Sequence, residues 1–212
     1  MQWAVGAAFI VVASVAGAQD ARLRDRLDSS TAARVGAIID SARFAGLPTR
    51  PLTSKALEGA SKGAPGPRIV AAVSRLAGEL RSAREVLGPA SESELDAAAS
   101  ALILGVRRAD LVAVRSARSG ERLTVPLAVL ADLVAYGVPP EAATQAVVRL
   151  AEGSGEDEAL LDFRRDVERD IALGAPPAAA AAVRLNSAGL AETAARAGTD
   201  VQTGGPPRPR KP

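Results

Sequence analysis

Residues 135–143 read AYGVPPEAA: Gly137, then Val138, then Pro139 and Pro140, then Glu141 opening an alanine-rich run. Close copies stand at Gly46-Leu47-Pro48, Gly63-Ala64-Pro65 and Gly174-Ala175-Pro176, and Gly105-Val106-Arg107 is a near copy. Each part of the unit has a backbone reason to sit between two helices. Glycine just past a last turn takes up the left-handed conformation that closes a helix, the next apolar residue packs back on that turn, and proline stops continuation. The unit is therefore read as punctuation, with Gly46, Gly63, Gly105, Gly137 and Gly174 as helix C-caps at positive φ.

The segments between these marks carry helical periodicity. Ile69, Val73, Leu76, Leu80, Ala83 and Leu87 recur at alternating spacings of four and three before Gly88, which is one face of a long amphipathic helix. Ser91 with Glu94 three positions later has the form of a capping box for the helix that follows. Shorter stripes end at Gly46, Gly105, Gly120, Gly137, Gly153 and Gly174, and no stretch keeps a period of two. The expectation is an all-α domain over residues 28–190, built of about eight short helices in antiparallel hairpins. Two successive intervals between terminating glycines make a hairpin of about 33–42 residues, the size of an α-solenoid repeat. None of the side-chain signatures of tetratricopeptide, ankyrin or leucine-rich repeats is present. The pattern thus leaves open an α-solenoid-like array or an irregular helical bundle.

Composition removes several chemistries. The chain has neither cysteine nor histidine. That rules out a disulfide, a thiolate nucleophile, a Cys/His metal site and an imidazole base. Aromatics are so few that Ala, Leu and Val must pack the core. The formal charge is +2, and Arg208, Arg210 and Lys211 in the last seven residues account for more than all of it. The remainder is near neutral and offers no basic face, so no nucleic-acid partner is expected.

The two ends read differently from the middle. Residues 3–15 are apolar and uncharged, and Ala16-Gly17-Ala18 before Gln19 fits the small-residue pattern accepted by a signal peptidase, although no Lys or Arg precedes the run. The expectation is a signal peptide over residues 1–18, cleaved between Ala18 and Gln19, and a periplasmic or secreted bacterial protein. Residues 198–212 end in PPRPRKP, a composition that favours extended, polyproline-like chain. They are expected to form a disordered tail whose Arg208, Arg210 and Lys211 could touch an anionic envelope weakly.

Three matches to chemical motifs have plainer readings. Gly59-Ala60-Ser61-Lys62-Gly63 satisfies the G-x-S-x-G pattern of serine hydrolases. That pattern requires a preceding strand and a histidine base, and this chain offers a helical context and no histidine. The acidic run with Glu156, Asp157, Glu158, Asp162, Asp166 and Asp170 is interleaved with Arg164, Arg165 and Arg169, as a solvated helix face with i,i+4 pairs would be. Arg68, Arg75, Arg81 and Arg84, and later Arg107, Arg108, Arg115 and Arg118, fit a solvated surface better than one anion pocket. No catalytic, cofactor or metal residue is assigned. The reading is a non-enzymatic exported scaffold or adaptor that binds a protein or peptide partner. The alternatives are an all-α enzyme using arginine and carboxylates on a small anionic substrate, and an envelope protein tethered by its basic tail.

Overall fold

The structure is a computed structural model that describes residues 22–153 and 156–201, with side chains to residue 189. The described residues are helical and contain no strand. After a helical turn at 22–26, nine helices follow: α1 (Ser29–Phe44), α2 (Arg50–Ser61), α3 (Gly66–Leu87), α4 (Glu92–Ile103), α5 (Arg108–Ala117), α6 (Thr124–Ala135), α7 (Pro140–Gly153), α8 (Asp157–Ala172) and α9 (Pro177–Val201). The stretch read as one helical domain over 28–190 divides into two compact units at Ile103/Leu104. The last helix runs on to Val201, four residues into the segment read as tail. Residues 1–18 and 202–212 lie outside the described residues.

Glycine ends most of these helices. Gly46, Gly63, Gly105, Gly137 and Gly174 have φ of 66°, 65°, 101°, 93° and 99°, and Gly88 and Gly120 are also positive. At Gly137 the hydrogen bonds are those of a Schellman closure: its N–H donates to the Val134 carbonyl at 3.0 Å, and the Val138 N–H to the Leu133 carbonyl at 3.0 Å. Gly46, Gly63 and Gly174 carry the same pair of bonds. The following apolar residue then turns inward, so that Leu47, Val106 and Val138 are buried. Gly153 differs, being the last residue of α7 rather than a residue beyond it.

In the first unit α3 is the central helix. Its stripe Ile69, Val73, Leu76, Leu80, Ala83 and Leu87 is buried, with Val70 and Ala77 widening it, and α1, α2 and α4 all pack on it. The start of α1 meets the start of α3. Asp28 caps α1 by accepting from the Thr31 N–H at 3.0 Å and the Ser30 hydroxyl at 2.7 Å. A Cβ on Gly66 would fall 2.1 Å from Thr31 Oγ1 and 3.2 Å from Asp28 Oδ2. At the other end Arg84 donates to the Gly46 carbonyl at 3.2 Å. Start with start and end with end, α1 and α3 run parallel. α4 returns antiparallel to α3, with Arg75 donating to the Ile103 carbonyl at 3.1 Å. Ser91 and Glu94 close a reciprocal capping box at its start, the Ser91 N–H donating to Glu94 Oε2 at 2.8 Å and the Glu94 N–H to Ser91 Oγ at 3.3 Å.

The second unit has no single central helix; its helices pack on one another more evenly. α5 packs on α7 and α7 on α9, while α6 packs on α8. Arg164 of α8 donates to Asp132 of α6 at 2.9 Å, and Glu168 of α8 sits against the Tyr136 hydroxyl that closes α6. Both pairs are 32 residues apart in the same direction, which fixes α6 and α8 as parallel neighbours. Arg107 at the start of α5 lies within reach of Glu141 at the start of α7. A Cβ on Gly137, just before α7, would touch the Pro177 ring at the start of α9 at 3.4 Å. So α5, α7 and α9 are also aligned start to start. Next-but-one helices thus lie side by side in the second unit, as α1 and α3 do in the first.

Candidate functional site

Several of the charged residues singled out from the sequence are used within the fold. Asp110 is buried at the start of α5, where its carboxylate accepts the Arg107 N–H at 3.0 Å and the guanidinium at 2.9 and 2.8 Å. These bonds hold its carboxyl below the usual range and push the Arg107 guanidinium up. In α8, Asp162 pairs with Arg165 and Asp166 with Arg169. Asp170 takes a two-pronged contact from Arg184 of α9 at 2.6 and 2.7 Å, which depresses the carboxyl. The acidic run therefore holds α9 to α8. Among the described residues no group of three or more carboxylates could hold a metal ion.

Arg118 stands apart. It follows the last turn of α5 with a side chain only 5% exposed, against Asp157 at 2.9 Å and Glu121 at 3.4 Å. Its Nε and Nη2 are buried with no hydrogen-bond acceptor. The guanidinium is thus committed to one side and ties the α5–α6 connection to the start of α8. Sequence reading placed it on a solvated surface with Arg107, Arg108 and Arg115; no local pattern marks it as the one that turns inward.

The G-x-S-x-G match is a helix end. Ser61 is the last residue of α2, and its hydroxyl donates to the Glu58 carbonyl at 2.8 Å. Gly59 serves packing, since a Cβ there would come within 2.9 Å of Ile69 Cγ1 on α3. Lys55 and Lys62 flank Glu58 and pull its carboxyl down to about 2. With Arg68 they line a cleft of 190 Å³ between α2 and α3, an exposed basic notch with no buried polar group to grip an anion. Asp96 of α4 is the opposite case: partial burial raises its carboxyl, and Arg50 offsets only part of this.

Two surfaces among the described residues are open to contact with something else. In the first unit a groove of 620 Å³ runs along the outer side of α1, floored by Ala32, Ala33, Gly36 and Ala37 and edged by Leu23, Arg24 and Asp40. Phe44, at the end of that helix, is 96% exposed. In the second unit Tyr136 and Leu173 close α6 and α8, so parallel packing places them at the same end of that layer. They are 37% and 81% exposed. These exposed apolar positions fall beside the terminating glycines Gly137 and Gly174, a coincidence that periodicity alone did not single out.

Of the expected site residues, Gly46, Gly63, Gly105, Gly137 and Gly174 lie in connections between helices. Ala16, Ala18 and Gln19, and Arg208, Arg210 and Lys211, lie outside the described residues. Among those residues no helix is long and apolar enough to cross a membrane. No family model, curated protein or solved structure matches the chain.

Proposed function

We propose that this chain is an exported, non-enzymatic helical-repeat protein, an α-solenoid-like scaffold or adaptor that presents a rim of helix ends to a protein or peptide partner. The observation that carries the reading is the ladder in the second unit. Asp132 meets Arg164 and Tyr136 meets Glu168 at one constant step of 32 residues, while α5, α7 and α9 align start to start. Helices stacked in two parallel rows are how repeat arrays bury a continuous core and expose extended surfaces for binding. The Ala16-Gly17-Ala18 pattern supports export, and the exposed Tyr136 and Leu173 supply apolar anchors at one edge.

The test uses the chain beginning at Gln19, immobilised and crosslinked to material from its own envelope fraction. One specific partner is expected, and Leu173→Glu is expected to reduce its recovery by about tenfold or more, as loss of a buried interface anchor does. No recovered partner, or a partner indifferent to both Leu173→Glu and Tyr136→Ala, overturns the adaptor reading. N-terminal sequencing of the native protein tests export separately: an intact Met1 rejects cleavage.

A further inference from the structure

We propose that the outer side of α2 is a docking site for an extended acidic segment of the partner protein, held between two basic clefts that flank the helix. The proposal rests on the adaptor reading and supplies the chemistry of that partner, at a surface of the first unit.

The near-neutral balance of the chain hides this surface. Residues 22–103 hold twelve cations and nine carboxylates, a net charge of +3. Five of those cations, Arg22, Arg26, Lys55, Lys62 and Arg68, line the two clefts beside α2 with only two carboxylates, Asp25 and Glu58. The whole net charge of the unit therefore collects on one side, and the rest is balanced. Helical spacing is the cause. α2 turns Leu52, Thr53 and Ala56 to the core, which puts Leu57 and Ser61 on one shoulder and Lys55 and Lys62 on the other. The turn at 22–26 adds Arg22 and Arg26 to the first shoulder, in a cleft of 450 Å³. The start of α3 adds Arg68 to the second, in the cleft of 190 Å³. Lys55 and Lys62 share Glu58 between them, so that trio keeps one positive charge.

Shape and charge together select the occupant. Neither cleft offers a buried polar group to grip one small anion, so the ligand is one that meets several cations at once. A planar head-group surface fits poorly. It would rest on the crest of α2, where Glu58 stays ionised with its carboxyl drawn down to about 2, and would not enter the clefts. A single nucleic-acid strand would find no aromatic side chain to stack on in either cleft. An acidic peptide fits both demands. Its carboxylates meet the cations, and aliphatic side chains beside them meet Leu57 in one cleft and Ile69 and Ala72 in the other. A helix is about 10–12 Å across, a distance an extended chain covers in about three or four residues. One short acidic stretch therefore reaches both clefts.

The probe is a fluorescein-labelled ten-residue peptide alternating glutamate and alanine, added to the full chain and read by anisotropy. Saturable binding is expected, weakening as salt rises from about 50 to about 300 mM. Arg22→Gln with Arg26→Gln, and separately Lys62→Gln with Arg68→Gln, should each weaken it about threefold to tenfold, as two exposed charges do. Arg122→Gln with Arg149→Gln in the second unit removes the same charge and should leave binding unchanged. All six positions are exposed, so the fold is kept, as circular dichroism checks. No binding of the peptide, or an equal loss in the second-unit variant, overturns the proposal. Retention on phosphatidylglycerol vesicles without peptide binding marks a lipid surface and overturns it too. The envelope crosslinking keeps the two readings apart: a partner lost with Leu173→Glu but kept by both first-unit pairs overturns this docking site and spares the adaptor. Peptide binding with no envelope partner does the reverse.

Discussion

Replacing Gly66 by alanine should destabilise the first unit, and replacing Gly78 by alanine twelve residues further along the same helix should stabilise it. Both lie in α3, and alanine is the better helix former by about 0.8–1.0 kcal/mol in a helix interior. At Gly78 nothing lies within 4 Å of the new Cβ, so that gain is realised, about 1 kcal/mol. At Gly66 the new Cβ would stand 2.1 Å from Thr31 Oγ1 and 3.3 Å from Thr31 Cβ. Thr31 is 4% exposed and β-branched, so the hydroxyl cannot swing away without taking its methyl into the same space. The starts of α1 and α3 must part, and overpacking of this kind costs about 1–3 kcal/mol. Gly66 is the first residue of its helix, where alanine's propensity gain is smallest, so the clash wins. Urea unfolding followed by circular dichroism reads both changes, with about 2–4 °C of melting temperature per kcal/mol as a check. Thr31→Ala supplies the internal control: it removes the nearest atom and should recover most of the loss when combined with Gly66→Ala, a coupling a double-mutant cycle measures. A neutral Gly66→Ala, or a double variant no better than Gly66→Ala alone, would refute the close approach of these two helix starts.

Further outcomes follow from the same geometry. Asp157→Ala should cost about 1.5–3 kcal/mol, the range for a hydrogen bond to a charged group, because it strips the buried Arg118 of its closest partner. Adding Arg118→Met should restore much of that loss, since an apolar side chain of similar length leaves no buried charge; calorimetry of the three variants decides it. Gly174→Ala should cost about 1–2 kcal/mol from backbone strain alone, because φ is 99° and no atom crowds the Cβ position. Stability should fall as pH drops from about 4.5 towards 2. Asp28, Glu58, Asp110 and Asp170 are held below their ordinary values in the folded chain, so their contribution is present above the unfolded pKa and is lost as they protonate. Asp96 works in the opposite sense, its raised carboxyl favouring the protonated fold. Asp96→Asn should therefore raise the urea midpoint at pH 7 and steepen the decline in acid; a lowered midpoint would contradict it.

How far the fold is legible in the sequence depends on which interaction decides each feature. Helix ends such as those at Gly137 and Gly174 are set by local backbone chemistry, and the residues that set them are adjacent in the chain. The α3 stripe is legible for the same reason, because one side chain every three or four positions shows which face is buried. The pairing of next-but-one helices is different. Asp132 with Arg164 and Tyr136 with Glu168 share a step of 32, but within each helix Asp132 with Tyr136, or Arg164 with Glu168, reads as an ordinary i,i+4 surface arrangement. The constant offset is the signal, and it emerges only when two pairs are compared. Gly66 and Gly59 carry no signal of their own, since a glycine that permits a close approach looks like any other until the neighbouring helix is in place. The division at Ile103/Leu104 is hidden likewise, because Gly105-Val106-Arg107 resembles the connections within each unit. The candidate surfaces are the least legible part, for exposure at Tyr136 and Leu173 depends on what the packed helices leave uncovered.

The alignment of alternate helices has a consequence for how such a chain can change length. In the second unit α5 rests on α7, α7 on α9 and α6 on α8, and the turns after α6 and α8 close on their own backbone hydrogen bonds. On the repeat reading proposed above, duplicating the up-and-down pair between Gly105 and Gly137 would bring like faces together again. On that reading, growth by copying needs no new interior.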